Sequence, residues 1–415
     1  MAQSAALEKL ELVERAAEGA GPAVVGEGFA IAIAHDLAEV EAAWRALTPS
    51  VESPGQNFDF IRLWIDALRV PPADCFFIVA SDAGTPVALM PLQRRWDKGI
   101  RVLSWFPGAH VGCDAPIIDA SKLAAMGSAQ RRRLWIEMLR GVSGADVVHL
   151  RSVPRLEVNG VELFAELGQW LEAETLYRAH FSSFADADRT QRNKSRRKHD
   201  RQQGDKLEAM GTVGFEEIGN GPAARAVLDT RFAQRAARFV EMGVSDPFDV
   251  PAVRAFYDST VDAGSRLPVK LHVLRLNGEI VATRYNIAHG DRLFCLISSM
   301  SEDPALRPGS PGKQCLLRVM QTVFEAGYRI FDMGEGLTDE KRHWCNEHIP
   351  VRHHYVPITR RGAIAAAAHR RWQRARAQIK SDPRLLALAK KARGAMLRLS
   401  GKGAPVAPAP AADAE

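Results

Sequence analysis

Residues 269–326 contain the pattern that most restricts how this chain can fold. Three strand-like runs at 269–276, 279–288 and 292–299 lead into a loop rich in glycine and proline and then into a helix over 312–326. Asn277 and Gly278 between the first two runs are the strongest hairpin signal in the chain, because both residues tolerate a positive φ. Since the helix repeats its apolar residues every three or four positions, the segment predicts an antiparallel meander packed against one amphipathic helix.

The order strand, helices, meander, helix, strand occurs twice along the chain. The first copy is predicted as strands 29–34, 76–80, 87–92, 101–106, 147–150 and 175–181, with helices 36–47, 58–68, 131–139 and 160–167. The second adds strands 212–217, 329–332 and 351–357 and helices 223–240, 253–263 and 339–346 to the meander and its helix. This order predicts two α/β (α+β) units with mixed, mainly antiparallel sheets flanked by helices.

Composition excludes several classes of protein. The 415 residues are 46% hydrophobic, which suits a globular chain of two or three domains. No apolar run approaches the roughly 20 residues that span a bilayer, and residues 1–26 resemble a flexible arm rather than a signal peptide. We therefore expect a cytoplasmic protein.

The five cysteines lack paired short spacings, so they predict buried thiols and no metal site. His353 and His354 are expected on the surface of a strand.

The net charge of +6 is unevenly distributed. Residues 360–402 hold 13 lysines and arginines and one acid, whereas residues 1–359 carry a net charge of −4. This basic tail predicts two helices, 364–379 and 383–399, before a disordered end at 403–415. The second helix is a basic amphipath, which suits an anionic membrane surface, a partner protein or packing on the body.

A second basic segment separates the two copies. Seven of the thirteen residues in 189–201 are lysine or arginine, within a linker helix predicted over 189–210. The segment fits a solvated face, a nucleic-acid patch or a lid over an acidic ligand. It contains no aromatic residue, which disfavours binding of single strands by base stacking.

The loop before helix 312–326 has the composition of an anion site. Glycine lets backbone N–H groups approach an anion closely, and a helix N-terminus adds about half a positive charge. The candidate residues are Arg307, Gly309, Ser310, Gly312 and Lys313. Their spacing matches neither G-x-G-x-x-G nor G-x-x-x-x-G-K-[ST], so Rossmann and P-loop proteins are disfavoured.

Residues 278–344 resemble the acetyltransferase domain of the GNAT superfamily, through GEIVA at 278–282, LISSM at 296–300, SPGK at 310–313, FDMGEG at 331–336 and KRHW at 341–344. More narrowly, these residues resemble one branch of the superfamily, which includes the cellulose-biosynthesis (CelD-type) acetyltransferases and is related to the FemAB aminoacyl transferases. Met333 replaces the branch's aromatic residue, and Glu340 stands where its tyrosine is expected. The resemblance extends over 28–357, and in the first copy the motif SPGQNF at 53–58 carries it.

The resemblance implies two tandem GNAT-like units, 27–188 and 211–359, joined by the linker and followed by the tail. The second unit would bind acetyl-CoA or another acyl-CoA, with the diphosphate on loop 307–313 and the acyl arm along Ile297, Ser298 and Ser299. An amine or hydroxyl, possibly on a saccharide or envelope precursor, would attack the thioester directly, so the protein need only position the groups, stabilise the oxyanion and remove a proton.

Three polar residues are candidates for that catalysis: Asp332 and Glu335 at a predicted strand end, and Lys341, the last on family grounds. The rival hypotheses are a FemAB-like transferase that uses charged tRNA, with 189–201 on its phosphates, and a non-catalytic GNAT-like scaffold that docks at membranes through the tail. For the lead hypothesis no specific nucleic acid is expected as a partner. Peripheral membrane contact through the basic tail stays open.

Overall fold

The computed structural model describes residues 28–48, 51–242, 246 and 248–382. The arm predicted at 1–26, the helix predicted at 383–399 and the end at 403–415 lie outside these residues.

The first half of the described chain alternates strands and helices as the sequence predicts. Its strands are β1 (Ala30–Ala34), β2 (Cys75–Asp82), β3 (Thr85–Asp97), β4 (Ile100–Trp105), β5 (Ile117–Ile118), β6 (Val147–Pro154), β7 (Glu157–Val158), β8 (Val161–Glu162) and β9 (Gln169–His180). Its helices are α1 (Glu41–Leu47), α2 (Phe58–Leu68), α3 (Ala120–Ala125), α4 (Ser128–Arg140), α5 (Phe184–Gln191) and α6 (Lys194–Glu208).

The helix predicted at 160–167 is wrong. A small β7–β8 hairpin and a series of turns occupy this segment, with Asn159 and Gly160 at positive φ in the hairpin turn. The spacing of Leu163, Phe164 and Leu167 resembles that of a helix. The three side chains instead project from a series of turns and are buried beneath α4. Trp135 of α4 donates its indole N–H to the Leu163 carbonyl at 3.2 Å.

The second half follows the predicted order closely. Its strands are β10 (Val213–Ile218), β11 (Val269–Leu276), β12 (Glu279–His289), β13 (Arg292–Met300), β14 (Ile330–Glu335) and β15 (Glu347–Pro357). Its helices are α7 (Pro222–Met242), α8 (Pro251–Thr260), α9 (Pro311–Glu325), α10 (Asp339–Trp344) and α11 (Arg360–Ser381). Asn277 and Gly278 have φ of 52° and 86°, which confirms the hairpin between β11 and β12.

One mixed sheet runs through both halves, in the order β1-β2-β3-β4-β6-β15-β9-β14-β13-β12-β11-β10. The halves exchange strands at its centre, because β15 from the end of the chain lies between β6 and β9 of the first half. In turn, β9 pairs with β14 of the second half. The predicted mixed α/β class, with sheet flanked by helices, is confirmed, and each half borrows one strand from the other.

The core on one face of the sheet also spans both halves. Phe60 and Trp64 of α2 pack against Phe256 of α8, with ring centroids 5.0 and 5.1 Å apart. Helices α5, α6 and α9 cover the opposite face of the second half, where alternate residues of β11 and β12 point toward them.

The expectation for His353 and His354 is corrected. Both lie on β15, but both are buried, because β15 is a central strand rather than an edge strand. Burial lowers the pKa of each imidazole to about 4. The two rings are therefore neutral parts of the interior at physiological pH.

Candidate active site

The sheet opens into a cleft where β13 and β14 separate. The two strands pair in parallel over three positions, of which Phe294 opposite Asp332 is the last. Beyond it, β13 stays beside β12, and β14 stays beside β9. A bulge near Leu296 of β13 lies at the point of separation, as bulges next to binding sites often do. Among the described strands none pairs with the other edge of residues 295–300, and Cys295 and Leu296 at the start of that edge line the cleft.

Both halves of the chain line this cleft, which is narrow and partly open to solvent. Its walls are Glu52, Ser53 and Pro54, then Gly112 and Cys113, then Phe294, Cys295 and Leu296, and finally Asp332 and Gly334. A Cβ atom on Gly112 would lie 2.8 Å from Cα of Gly334, so only glycine allows the loop of the first half to approach β14 so closely.

The predicted anion loop lies at the start of α9, beside the end of β13. Ser310 adopts the left-handed conformation, with φ of 45°, and its carbonyl accepts hydrogen bonds from the amides of Lys313 and Gln314 at 3.0 Å. Pro311 has no N–H. Gly312 is therefore the residue of the first turn whose N–H has no acceptor within the helix. A Cβ on Gly312 would lie 3.0 Å from Sδ of Met300. The loop therefore offers an anion one backbone amide and the dipole of α9, beside the side chain of Met300.

Helix α6 supports this loop from behind. A Cβ on Gly309 would lie 2.9 Å from Cβ of Leu207, so the loop packs directly on the helix. The Gln203 side-chain amide donates to the Ser310 hydroxyl at 2.8 Å, and the Gln314 amide donates to the Asp200 carbonyl at 2.7 Å. The linker helix is thus part of the site's framework.

Much of the positive charge of the linker is paired with carboxylates in and next to the linker. Arg192 and Arg196 both contact the Asp200 carboxylate, at 2.9 and 3.1 Å, and Arg197 contacts Asp188 at 2.8 Å. Lys198 and Arg201 stay exposed. The basic run is therefore partly an internal ion-pair network.

Asp339 faces the positive groups at the mouth of the loop. Its carboxylate lies 3.4 Å from Nζ of Lys313 and 3.4 Å from Nδ1 of His343. Slight burial would raise the pKa of Asp339, but His343, Lys313 and Arg196 outweigh that effect and hold it below its ordinary value. An anion bound at the loop would share Lys313 with this carboxylate.

Asp332 belongs to a buried charge cluster at the base of the cleft. It accepts a hydrogen bond from Nε of Arg178 at 2.7 Å, and Arg178 also contacts Glu52 at 2.5 Å. Arg292 donates to Glu52 at 3.0 Å. Burial alone would raise the pKa of Glu52, but Arg178 and Arg292 hold it below its ordinary value. Two carboxylates and two guanidinium groups thus balance one another, and Asp332 is held rigidly.

Glu335 has a different environment at the end of β14. Ser152 of β6 donates its hydroxyl to Oε2 of Glu335 at 2.7 Å, although the two residues come from different halves of the chain. Ser152 has a φ of 52°, a strained conformation that aims the hydroxyl at this carboxylate. Burial raises the pKa of Glu335, and the Ser152 hydrogen bond opposes the shift only in part. A carboxylate with a raised pKa is a better proton acceptor than an ion-paired one.

Lys341 holds the turn after β14. Its ammonium donates to the carbonyls of Gly334, Glu335 and Gly336, at 3.2, 2.6 and 2.9 Å. An ammonium has three N–H donors, so these bonds occupy all of them. Burial lowers the pKa of Lys341. The geometry makes Lys341 a positioning residue for the backbone around Glu335.

The three predicted residues on β13 have different surroundings. Ile297 is buried against the α7 side of the sheet, and Ser298 is exposed, with its carbonyl bound by Arg235 at 3.0 Å. The Ser299 hydroxyl contacts Thr283 and Gln234 at 3.0 Å, so its hydrogen bonds are internal. None of the three is among the residues that line the cleft, to which β13 contributes Phe294, Cys295 and Leu296.

Sequence reasoning missed Glu52, Cys113, Ser152 and Arg178. All four come from the first half, and the exchanged strands bring them to Asp332 and Glu335. The motif at 53–58 was the one sign that this half takes part. Burial raises the pKa of the Cys113, Cys295 and Cys345 thiols, which makes a cysteine nucleophile unfavourable.

Two further kinds of feature are absent from the part of the chain that the structure describes. No group of three or more His, Cys, Asp and Glu side chains there is arranged to hold a metal ion. None of the described helices combines the length and apolar composition that crossing a bilayer requires.

Comparison with known proteins defines the class of the domain that carries this cleft. Residues 194–342, from α6 to α10, match the family model of the acetyltransferase (GNAT) domain. The chain therefore contains a GNAT-type acetyltransferase domain, and this domain holds loop 307–313, the separated strands and Glu335. No curated protein matches the chain.

Solved structures resemble the chain over most of its length at low identity. FemX is 10% identical, covering 73% of this chain and 96% of its own, with a TM-score of 0.50. The C-terminal domain (DUF2156) of a putative lysylphosphatidylglycerol synthetase from Agrobacterium fabrum is 12% identical, with 80% and 95% covered and a TM-score of 0.49. A tandem GNAT protein from the clavulanic acid biosynthesis pathway is 12% identical, with 79% and 98% covered and a TM-score of 0.43. The likeness to FemX shows a shared fold.

Proposed function

We propose that this protein is an acyl-CoA-dependent acyltransferase that transfers an acetyl group to an amine or hydroxyl by direct attack in a ternary complex. The observation that carries the proposal is the separation of β13 from β14 directly beside loop 307–313, within the region that matches the GNAT domain. The open edge of β13 can hydrogen-bond an extended amide chain, while the loop takes the diphosphate at one end of that chain.

Each part of the cleft then has a role. The Gly312 amide and Lys313 hold the diphosphate, with Arg307, Gly309 and Ser310 shaping the loop. The acyl-CoA supplies the activated thioester. Glu335 accepts the proton of the attacking amine or hydroxyl, since its raised pKa suits a general base. Asp332, fixed by Arg178, shapes the floor of the cleft, and Lys341 positions the turn.

The proposal also includes the class of molecule that accepts the acyl group. A saccharide or envelope precursor, as in the cellulose-biosynthesis branch, rests on the family resemblance, whereas the proposed cytoplasmic location rests on the composition of the sequence. Because Glu52, Ser53 and Gly112 of the first half line the cleft, we infer that the acceptor binds between the two halves. This arrangement makes the first half part of the acceptor site.

Calorimetric titration with acetyl-CoA and with CoA tests the proposal. The wild-type protein should bind both, and Gly312→Glu should lose affinity at least tenfold, because its carboxylate would oppose the diphosphate at the helix start. Gly219→Glu is the matched control, since Gly219 is exposed and a Cβ added there would have no other atom within 4 Å. Absence of binding to the wild type at millimolar ligand would refute the proposal.

A FemAB-like transferase that uses aminoacyl-tRNA is the second candidate. Two observations support it: the fold shared with FemX, and the exposed Lys198 and Arg201 on the helix that supports the anion loop. It predicts tRNA binding that weakens steeply with salt, together with no binding of CoA. A protein that binds neither ligand would instead support the non-catalytic scaffold.

A further inference from the structure

Helix α11 presents an exposed apolar stripe to solvent. Ile364, Ala368, Trp372, Ala375 and Ile379 follow one another at intervals of three or four residues, so they share one face of the helix. All five are exposed, with 72% of Ile364, 55% of Trp372 and 36% of Ile379 accessible. An exposed apolar stripe that includes a tryptophan is a candidate interaction surface.

Arginines flank this stripe without any acidic residue. Helix α11 contains six arginines and one lysine and no aspartate or glutamate, whereas residues 1–359 carry a net charge of −4. Arg361, Arg371, Arg374 and Arg376 are all exposed. The helix therefore combines an apolar stripe with a strongly positive field on an otherwise mildly acidic molecule.

The first turns of α11 are fixed to the body of the protein. Thr359 donates its amide and its hydroxyl to Asp146, at 3.1 and 2.8 Å, and Gly362 packs against the Asp146 carbonyl. His369 contacts the Tyr355 hydroxyl at 2.8 Å. From Arg371 to Ile379 every residue except Gln373 is exposed, so the second half of the helix projects from a firmly attached base.

We propose that α11 is an interfacial helix that docks this protein on an anionic lipid bilayer. Its apolar stripe would enter the boundary between headgroups and acyl chains, with Trp372 at headgroup depth, while the arginines contact the lipid phosphates. Charge complementarity selects the bilayer. A nucleic acid would match the arginines but would leave the isoleucines exposed, and a protein partner would need an acidic rim around an apolar groove.

This surface is independent of the proposed acyl transfer, since none of its residues lines the cleft. The docking surface lies on α11, whose exposed face the structure describes, and not on the basic amphipath at 383–399, which lies outside the described residues.

Co-sedimentation with vesicles tests the docking. The full-length protein should bind vesicles that contain phosphatidylglycerol and should bind pure phosphatidylcholine at least tenfold more weakly, with affinity falling as salt rises. Trp372→Ser and the triple variant Arg371→Gln/Arg374→Gln/Arg376→Gln should each reduce binding at least fivefold. Circular dichroism would check that both variants keep their helical content.

Matched variants exclude general effects of charge and hydrophobicity. Trp170→Ser removes a tryptophan that is 40% exposed on β9, and Arg132→Gln/Arg133→Gln/Arg140→Gln makes the same charge change on α4. Both should bind vesicles like the wild type. The proposal would be overturned by no binding to anionic vesicles, by equal loss in the control variants, or by tighter binding to RNA than to vesicles at the same salt. Binding that persists in the α11 variants would assign the docking to the rest of the tail and likewise overturn it.

Discussion

At the scale of single residues, the site is defined by how two carboxylates differ. Asp332 lies in a balanced cluster with Arg178, Glu52 and Arg292, whereas Glu335 has a neutral hydroxyl from Ser152 as its hydrogen-bond partner. The same side-chain chemistry therefore gives an ion-paired carboxylate in one place and, in the other, the carboxylate that we propose as the proton acceptor.

The hydrogen bond from the Ser152 hydroxyl should lower the pKa of Glu335. Its hydrogen bond favours the ionised carboxylate, so Ser152→Ala should raise the pKa of Glu335 further, by roughly one unit. Because the base must be ionised, the acidic limb of the pH–rate profile should move to higher pH. Titration of the ¹³C-labelled carboxyl by NMR, assigned with Glu335→Gln, measures the shift without an acceptor.

Ser259→Ala is the control, since that half-buried serine donates to the carbonyl of Phe256 in α8, away from the cleft. A pKa that stays unchanged or falls in Ser152→Ala would contradict the tuning role.

At the scale of elements, three helices assemble the proposed anion site. Helix α9 supplies the amide, α6 supports the loop from behind, and the first turn of α10 places Asp339 against Lys313. The loop's sequence identifies the first of these contributions. The other two depend on how the helices pack.

Asp339 should compete with a bound diphosphate for Lys313. Asp339→Asn removes the competing charge and should tighten CoA binding, whereas Lys313→Ala should weaken it. Since this ion pair is about half exposed, we expect changes of roughly two- to fivefold. Calorimetry measures both variants. Asp262→Asn, an equal charge change on an exposed carboxylate paired with Arg225, should leave the affinity unaltered. Weaker binding by Asp339→Asn would mean that this carboxylate supports the loop instead.

At the scale of the whole molecule, the two halves form one structure. Strands β9 and β15 are exchanged, and one core cluster joins α1 and α2 to α7 and α8. Separation of the halves would break the sheet at its centre and expose that core. We therefore expect the halves to unfold together.

Phe60→Ala tests this coupling. Phe60 is fully buried and contacts Phe256 of the other half, so its truncation should cost about 3–5 kcal/mol of the free energy of unfolding. Urea unfolding, followed by tryptophan fluorescence and circular dichroism, should still show one coincident transition at lower urea. Ile136→Ala, at an exposed position on α4, should shift it little. Two separate transitions, of which only one moves, would show that the halves unfold independently.

The sequence by itself determined the local elements, the hairpin at Asn277 and Gly278, and the glycine-rich loop before α9, because these depend on periodicity and backbone freedom within a few residues. It misassigned 160–167, where apolar spacing imitates a helix, and it placed His353 and His354 on a surface. Only the tertiary structure decided that β15 is central, that Ser152 and Arg178 reach the second half's carboxylates, and that the two strands separate into a cleft. The physical reason is that strand exchange and burial join residues more than a hundred positions apart, and no local pattern records such a pairing.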